Sequence, residues 1–323
     1  MMTLPAVEVL HPGSVAEAVD ALRAHPGARV LAGGTDIVPN LKYGMYDTRH
    51  LIALRGLSKE LRYVREEDGF IKLGALCTID QLASDAAMLP ALAEACGQIA
   101  GPQLRRMGTL GGNLCLDTRC VYINQSYFWR SALGFCLKKD GTLCHVVAGG
   151  KRCVAAASND TAPVLLSLDA SVRLVSPRGE RVMPLRDFYL QDGVHNTVLA
   201  PDELLVEVLV PARAVSLKQA FAKLRTRAAI DFPALNLAVA MEVDQGALRS
   251  VALCVSAIAA RPAVIRPLQD LLGHPADARL AEELGRRAQR QCKPLTNIGI
   301  DPLWRRDVLP VLVRRTVLRA LQA

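Results

Sequence analysis

Two glycine-rich stretches constrain this chain more than any other feature. In Val30-Leu31-Ala32-Gly33-Gly34-Thr35-Asp36 a buried-strand pattern runs straight into paired glycines, so the spacing predicts a strand that turns sharply into a helix. Such a turn gathers backbone N–H groups at the positive end of a helix dipole, where a phosphate can approach with no side chain in the way. An ordinary tight turn has the same glycine requirement. The second stretch, from Ile99 through Gln103 to Gly108-Thr109-Leu110-Gly111-Gly112-Asn113, supplies a further set of small, hydrogen-bonding residues after a helix. Together they suit close backbone approach to a flat or phosphorylated ligand. Neither fits the G-x-G-x-x-G dinucleotide fingerprint and neither ends in the Lys-Ser/Thr of a P-loop, which excludes Rossmann and nucleotide-triphosphatase readings.

The rest of the chain reads as small α+β units around these loops. Ser14-Val-Ala-Glu17 is a capping box opening an amphipathic helix with Val15, Ala18, Val19 and Leu22 on one face. Strands around Leu61–Arg65 and Phe70–Ala75 flank the turn signal Glu67-Asp68-Gly69. Helix starts at Thr78 and Pro90 follow, then a poorly periodic segment from Leu116 to about Ser158, rich in Cys, Gly and Lys, which reads as an insertion. Regular structure resumes with a helix over Thr161–Leu168, a hairpin over Pro177-Arg-Gly179 and a strand over Leu204–Val210 closed by Pro211. Beyond Pro211–Ser216, the best boundary, come strands at Phe221–Arg225, Leu235–Val243 and Val251–Ile258. Helix starts at Asp277 and Asp301-Pro302 follow, and the last helix is expected to bury Val308, Val311, Leu312 and Val317.

With 323 residues, 51% apolar and 22% charged, the chain can bury a sizeable core, and intrinsic disorder is excluded. The uncharged run Ser250–Ala260 is far short of a bilayer span, and the N-terminus carries no export signal, so a cytoplasmic protein without membrane contact is expected. The net charge of +8 raises nucleic acid as a partner. The excess is spread thin, however, and no aromatic residue is interleaved with the pairs Arg105-Arg106, Arg286-Arg287, Arg305-Arg306 and Arg314-Arg315. Nucleic-acid binding is therefore not expected, and the last three pairs read as solvated helix faces or subunit contacts.

Nine cysteines in a chain with no export signal argue for reduced thiols. Cys77, Cys96, Cys254 and Cys292 lie in regular apolar segments and read as small buried hydrophobes. Cys115, Cys120, Cys136, Cys144 and Cys153 fall within 39 residues and admit three readings: free thiols, a zinc site, or an iron–sulfur cluster. Close C-x2-4-C pairs are missing, although His145 beside Cys144 could complete a Cys3His zinc set. Four thiolates from a long irregular loop suit a [4Fe-4S] centre. Cys115 directly follows the second glycine-rich stretch and stands apart from the other four.

These motifs carry a resemblance. Leu31–Asp36 with Lys42 downstream, the Gln103–Asn113 stretch and Asn159-Asp160-Thr-Ala-Pro163 resemble, in order and separation, the three FAD-binding signatures of the flavoprotein subunits of the xanthine oxidase family of molybdenum enzymes. Residues 214–323 are similar to the C-terminal domain of those subunits. The resemblance implies an α+β fold. A two-subdomain FAD-binding domain of the vanillyl-alcohol-oxidase/p-cresol-methylhydroxylase type, not Rossmann, would occupy 1–213, with subdomains at about 1–56 and 57–213 and the insertion at about 116–158. A smaller α+β domain of the CO-dehydrogenase-flavoprotein type would occupy 214–323.

The resemblance also implies site residues. Val30, Leu31, Ala32, Gly33, Gly34, Thr35, Asp36 and Ile37 would cradle the FAD pyrophosphate and ribityl chain, joined by Thr109, Leu110, Gly111, Gly112 and Asn113. Asp160 would accept hydrogen bonds from the cofactor, while Ile99 and Leu205 would pack on it. Lys223, eight residues before Asp231, matches a lysine that the family places near the flavin, where a cation stabilises the reduced ring; a surface lysine on a strand is the plain alternative.

Asn113 and Asp160 are 47 positions apart, where most of the family has a short link. The gaps of 16, 8 and 9 between Cys120, Cys136, Cys144 and Cys153 resemble those of the flavin and iron–sulfur subunits of the 4-hydroxybenzoyl-CoA reductases, a reductive branch of the family. That likeness implies one [4Fe-4S] cluster on these four cysteines and no catalytic acid, base or nucleophile on this chain. It implies partners too: a molybdenum-cofactor subunit, a [2Fe-2S] subunit, a dimer of such heterotrimers, and reduced ferredoxin as electron donor.

Overall fold

The computed structural model describes residues 3–85 and 89–322. The first unit is a three-stranded parallel sheet, order β1-β3-β2, built from β1 (Glu8–Leu10), β2 (Arg29–Leu31) and β3 (His50–Ala53). Parallel neighbours need crossovers, and α1 (Val15–Ala24) and α2 (Ile37–Lys42) provide them. Ser14 Oγ accepts from the Glu17 N–H at 3.2 Å and the Glu17 carboxylate accepts from the Gly13 N–H at 2.7 Å, so the box closes one residue further out than its simplest form. The buried face of α1 is Val15, Ala18, Val19 and Leu22, as the spacing predicts. Strand β2 is only half-buried where a buried strand was expected, because it forms an edge of the sheet.

The second unit opens with α3 (Ser58–Leu61), which takes Leu61 out of the expected strand, so β4 runs only over Val64–Glu67. Its turn into β5 (Phe70–Gly74) uses Asp68 and Gly69 at φ 54° and 76°, the left-handed pair that a two-residue hairpin turn requires. Helices α4 (Ile79–Ser84), α5 (Pro90–Gly97), α6 (Pro102–Met107), α7 (Leu110–Leu114), α8 (Tyr127–Ala132) and α9 (Thr161–Ser167) follow. Strands β6 (Ser171–Ser176), β7 (Gly179–Pro184) and β8 (Leu204–Pro211) complete an antiparallel sheet of order β4-β5-β8-β6-β7. Its core, including Ile71, Leu73, Leu165, Val172 and Phe188, lies between sheet and helices.

The third unit is the antiparallel sheet β12-β11-β10-β9, from β9 (Lys218–Leu224), β10 (Leu235–Asp244), β11 (Ala247–Ser256) and β12 (Ala263–Val264). Helices α10 (Ala278–Gln291) and α11 (Pro302–Gln322) cover it, crossing so closely at Gly285 that an added Cβ would come 2.8 Å from the Pro310 carbonyl oxygen. Of the face expected for α11, Val317 is buried and Val308 and Leu312 pack partly buried against the core, but Val311 is 44% exposed. The buried stripe is Arg305, Leu309, Val313, Thr316, Val317 and Ala320, and so begins with an arginine.

Arg305 is itself fully buried and not solvated: it donates to the carbonyls of Ala234 (2.9 Å), Leu295 (3.1 Å) and Ala257. Three loop carbonyls that would otherwise be buried without a donor satisfy one guanidinium. Among the described residues no helix is long and apolar enough to cross a membrane.

Candidate functional site

The two glycine-rich loops, far apart in sequence, touch in the fold. An added Cβ at Gly33 would come 1.8 Å from the Met107 carbonyl oxygen and 3.0 Å from the Gly108 nitrogen, so only glycine lets the first loop lie against the second. Gly34 sits at φ +74°, the turn that sends the chain from β2 toward α2. Val30 through Ile37 are all half-buried, forming one wall of a groove. The second loop is fixed from behind: Ile79 N–H donates to the Gly108 carbonyl, Leu110 N–H to Cys77 and Gly111 N–H to Ala75, each at 2.9 Å. Gly111 is tight against Ala75, where a Cβ would approach within 2.9 Å, and Thr109 Oγ1 caps α7 at the Gly112 N–H. Thus Leu110 and Gly111 are buried behind the groove, and Gly112 and Asn113 reach its surface.

The third motif joins through Asn113, whose Oδ1 accepts from the Thr161 N–H (3.1 Å) and hydroxyl (2.6 Å). Asp160 then meets Lys223, carboxylate to ammonium at 2.7 Å, and accepts from Asn236 Nδ2 at 2.9 Å. The register of β9 on β10 sets Lys223 opposite Asn236, so both side chains reach Asp160 from one sheet face. The Lys223 side chain is 1% exposed, which rules out the surface-lysine alternative. It also donates to the Gln98 carbonyl at 3.2 Å and so lies behind the Ile99–Gly101 turn, with neither ammonium nor carboxylate open to solvent. Burial raises the Asp160 carboxyl above its ordinary range, against the pull of Lys223 and Asn236. Asp231 does not join them; it accepts from Thr226 and Arg227 and closes its own loop.

Leu205 is 3% exposed in the core of the second unit, opposite Leu174, because strand alternation sends it to the sheet face away from Leu204, which shares a cluster with Val30 and Ala32. Sequence reasoning missed residues that reach the groove. Arg119, from the insertion, pairs with Asp36 and lies over the Phe232 ring at 4.6 Å, and burial lowers its guanidinium to about 10. Its Nε, with Asn159 Oδ1 and Asn236 Oδ1, is buried without a hydrogen-bond partner among the described residues. Ile230 and Phe232, 60% and 49% exposed, stand near the Ile99–Gly101 turn, tied to it by the Ile230 N–H to Ala100 carbonyl bond at 3.1 Å. None of these lies within a glycine motif, so no local pattern marks them.

A glycine cradle with apolar side chains and unpaired polar atoms at one end suits a long ligand with a phosphate middle and a flat ring. Residues 5–213 match the family described as the FAD binding domain in molybdopterin dehydrogenase, and residues 219–320 match the CO dehydrogenase flavoprotein C-terminal domain. The chain belongs to the FAD-binding subunits of the xanthine oxidase/CO dehydrogenase family. It is 24% identical over 315 residues to the xanthine dehydrogenase FAD-binding subunit of Escherichia coli O157:H7, covering 96% of this chain and 94% of that one. It is 32% identical over 241 residues to an aldehyde oxidoreductase FAD-binding subunit of E. coli K12, covering 71% and 75%. The solved carbon monoxide dehydrogenase of Hydrogenophaga pseudoflava superposes with a TM-score of 0.81 at 26% identity, covering 99% of both chains. As an FAD-binding subunit of this family the chain binds FAD, and its non-Rossmann α+β architecture is that of these relatives.

The cysteines of this flavoprotein divide into two sets. Cys115 packs against the core of the second unit, where burial pushes its thiol up to about 12. Cys120, Cys136, Cys144 and Cys153 share one neighbourhood in the insertion: burial pushes the Cys120 thiol up to about 11, with Cys153, Cys136 and Cys144 adding to the rise. Gly193 fits against Cys153 so closely that a Cβ would come 2.7 Å from the sulfur. None of the nine cysteines is in a disulfide. His145 is engaged elsewhere, its Nε2 bonded to the Phe135 carbonyl at 2.7 Å and its ring stacked on Tyr122, so it does not complete a Cys3His set. Among the described residues no group of three or more His, Cys, Asp or Glu side chains closes on a point as metal ligands do.

Proposed function

We propose that this chain is the electron-transfer subunit of a molybdenum enzyme of the 4-hydroxybenzoyl-CoA reductase type, carrying FAD in the groove and one [4Fe-4S] cluster on Cys120, Cys136, Cys144 and Cys153. The observation that carries the reading is the gathering of four reduced thiols in one loop, apart from Cys115 and from the core cysteines. Four thiolates are the complete ligand set of such a cluster. When bound, the cluster would supply one-electron transfer at low potential, as reductive loss of a phenolic hydroxyl demands.

The chain's own residues have supporting roles. Gly33, Gly34, Gly112 and the backbone of Thr109–Asn113 would receive the pyrophosphate. Ile99, Ile230 and Phe232 would flank the flavin ring, and Arg119 would bridge the cradle to the insertion. The buried Asp160–Lys223 pair would hold the Gln98–Gly101 turn against the ring rather than touch it. Chemistry on the aryl-CoA would belong to a molybdenum-cofactor subunit, reached through a [2Fe-2S] subunit in a dimer of heterotrimers, with reduced ferredoxin as donor and the cytoplasm as location.

A second reading has its own support, since the matched relatives are named as xanthine, carbon monoxide and aldehyde oxidising enzymes: an FAD subunit of an oxidising hydroxylase whose insertion holds no iron. Iron and acid-labile sulfide per flavin, measured on anaerobically purified protein, decide between them. About four of each, falling in Cys136→Ser and Cys144→Ser while flavin is retained, supports the cluster. A yellow protein free of iron overturns it.

A further inference from the structure

Away from the flavin groove, between the second and third units, lies a cavity of about 810 Å³ that none of the glycine-rich signatures lines, with Cys153 of the cysteine cluster on its wall. Arg152, Arg186, Arg261, Arg266 and Lys293 line it, opposed by the single acid Asp187. That local excess of four positive charges is half of the chain's net +8. Elsewhere Arg178, Arg181, Arg249, Arg286 and Arg319 sit within 4 Å of a carboxylate, whereas Arg152, Arg261, Arg266 and Lys293, like Arg55, Arg62 and Arg279 outside the cavity, have no carboxylate partner among the described residues. Holding several uncompensated cations around one concavity costs Coulomb energy that a solvated face avoids by dispersing or pairing them. Between the cations the wall is apolar, from Leu166, Ile258, Pro262, Val264 and Leu295.

We propose that this cavity binds an organic polyphosphate, of the class of a nucleoside diphosphate. Its volume lies within the usual small-molecule range, and its concavity suits a compact ligand better than the broad, flatter surface of a protein partner. The cations Arg261, Arg266 and Lys293 meet the phosphates, and the apolar wall takes the base and sugar. The site is independent of the FAD cradle: none of Val30–Ile37 or Thr109–Asn113 lines it.

The test is calorimetric titration of ADP, inorganic pyrophosphate and polyglutamate into protein already saturated with FAD, so that the cradle cannot take the nucleotide. The expected result is saturable ADP binding, at least tenfold tighter than pyrophosphate, weakening as salt rises. Arg261→Glu combined with Lys293→Glu should weaken it at least tenfold with flavin content unchanged. Should that pair fail to fold, the single Arg266→Gln, which keeps the backbone contact to Gln291, is expected to weaken ADP severalfold. Absence of ADP binding, ADP no tighter than pyrophosphate, polyglutamate in place of ADP, or affinity unchanged in the folded variants overturns the proposal.

Discussion

At the scale of single residues, Gly33 is the position where the groove has no room. A methyl group there meets a backbone carbonyl and not the end of a flexible side chain, so the second loop itself must move. Gly33→Ala is expected to fold, because the loop lies at the surface of the first unit, but to purify with little flavin; the visible-to-ultraviolet absorbance ratio checks it. The Asp160–Lys223 pair makes the opposite case, with buried charges and no open face. Lys223→Met strands a buried carboxylate and should cost about 3–5 kcal/mol in denaturant unfolding. Pairing it with Asp160→Asn should recover part of that loss, since the charge left unpaired is then gone. Both substitutions act on residues from different units, so their coupling also measures how firmly the third unit is docked.

At the scale of elements, α10 is clamped to the segment before it by one arginine. Arg287 reaches both Asp270 and Glu283, and those hydrogen bonds hold each carboxyl down at about 2. Unfolded carboxyls titrate near 4, so the stabilisation is fully present above that pH and is lost as pH falls from about 4 through about 2. Acid unfolding of the wild type should therefore show a component in this window that Arg287→Ala reduces, with Arg286 still holding Glu283, read by circular dichroism against pH. Helix α11 is anchored by Arg305, whose guanidinium burial lowers to about 10. Arg305→Met keeps the volume but leaves three buried carbonyls without a donor, and a loss of about 3 kcal/mol or more is expected in thermal or denaturant unfolding.

At the scale of the whole molecule, the groove is bounded by all three units: the first gives Val30–Ile37, the second Gly112 and Asn113, the third Ile230 and Phe232, with the buried Asp160–Lys223 pair behind them. A ligand touching all three units binds only the fully assembled chain. FAD at about a hundredfold over its dissociation constant should add about 2.7 kcal/mol and raise a single cooperative transition. Differential scanning calorimetry with and without FAD checks this; separate transitions with only one moved would show that the units unfold independently.

Much of this was legible in the sequence. Periodicity marked α1, the β4–β5 and β6–β7 turns and the helix starts at Thr78, Pro90, Asp277 and Pro302, because capping and turn chemistry act over a few residues. The glycine motifs marked the cradle for a similar reason, since close backbone approach leaves its trace in the residues that make it. What depended on distant partners was hidden. Arg305 looks like a solvated cation until three loops close over it. Arg119, Phe232 and the basic cavity have no local signature at all, because charge compensation and burial are properties of what the rest of the chain brings near. Sequence by itself determined where two backbone loops can approach each other closely, because that requirement falls on the glycines themselves; only the tertiary structure decided which side chains stand around them.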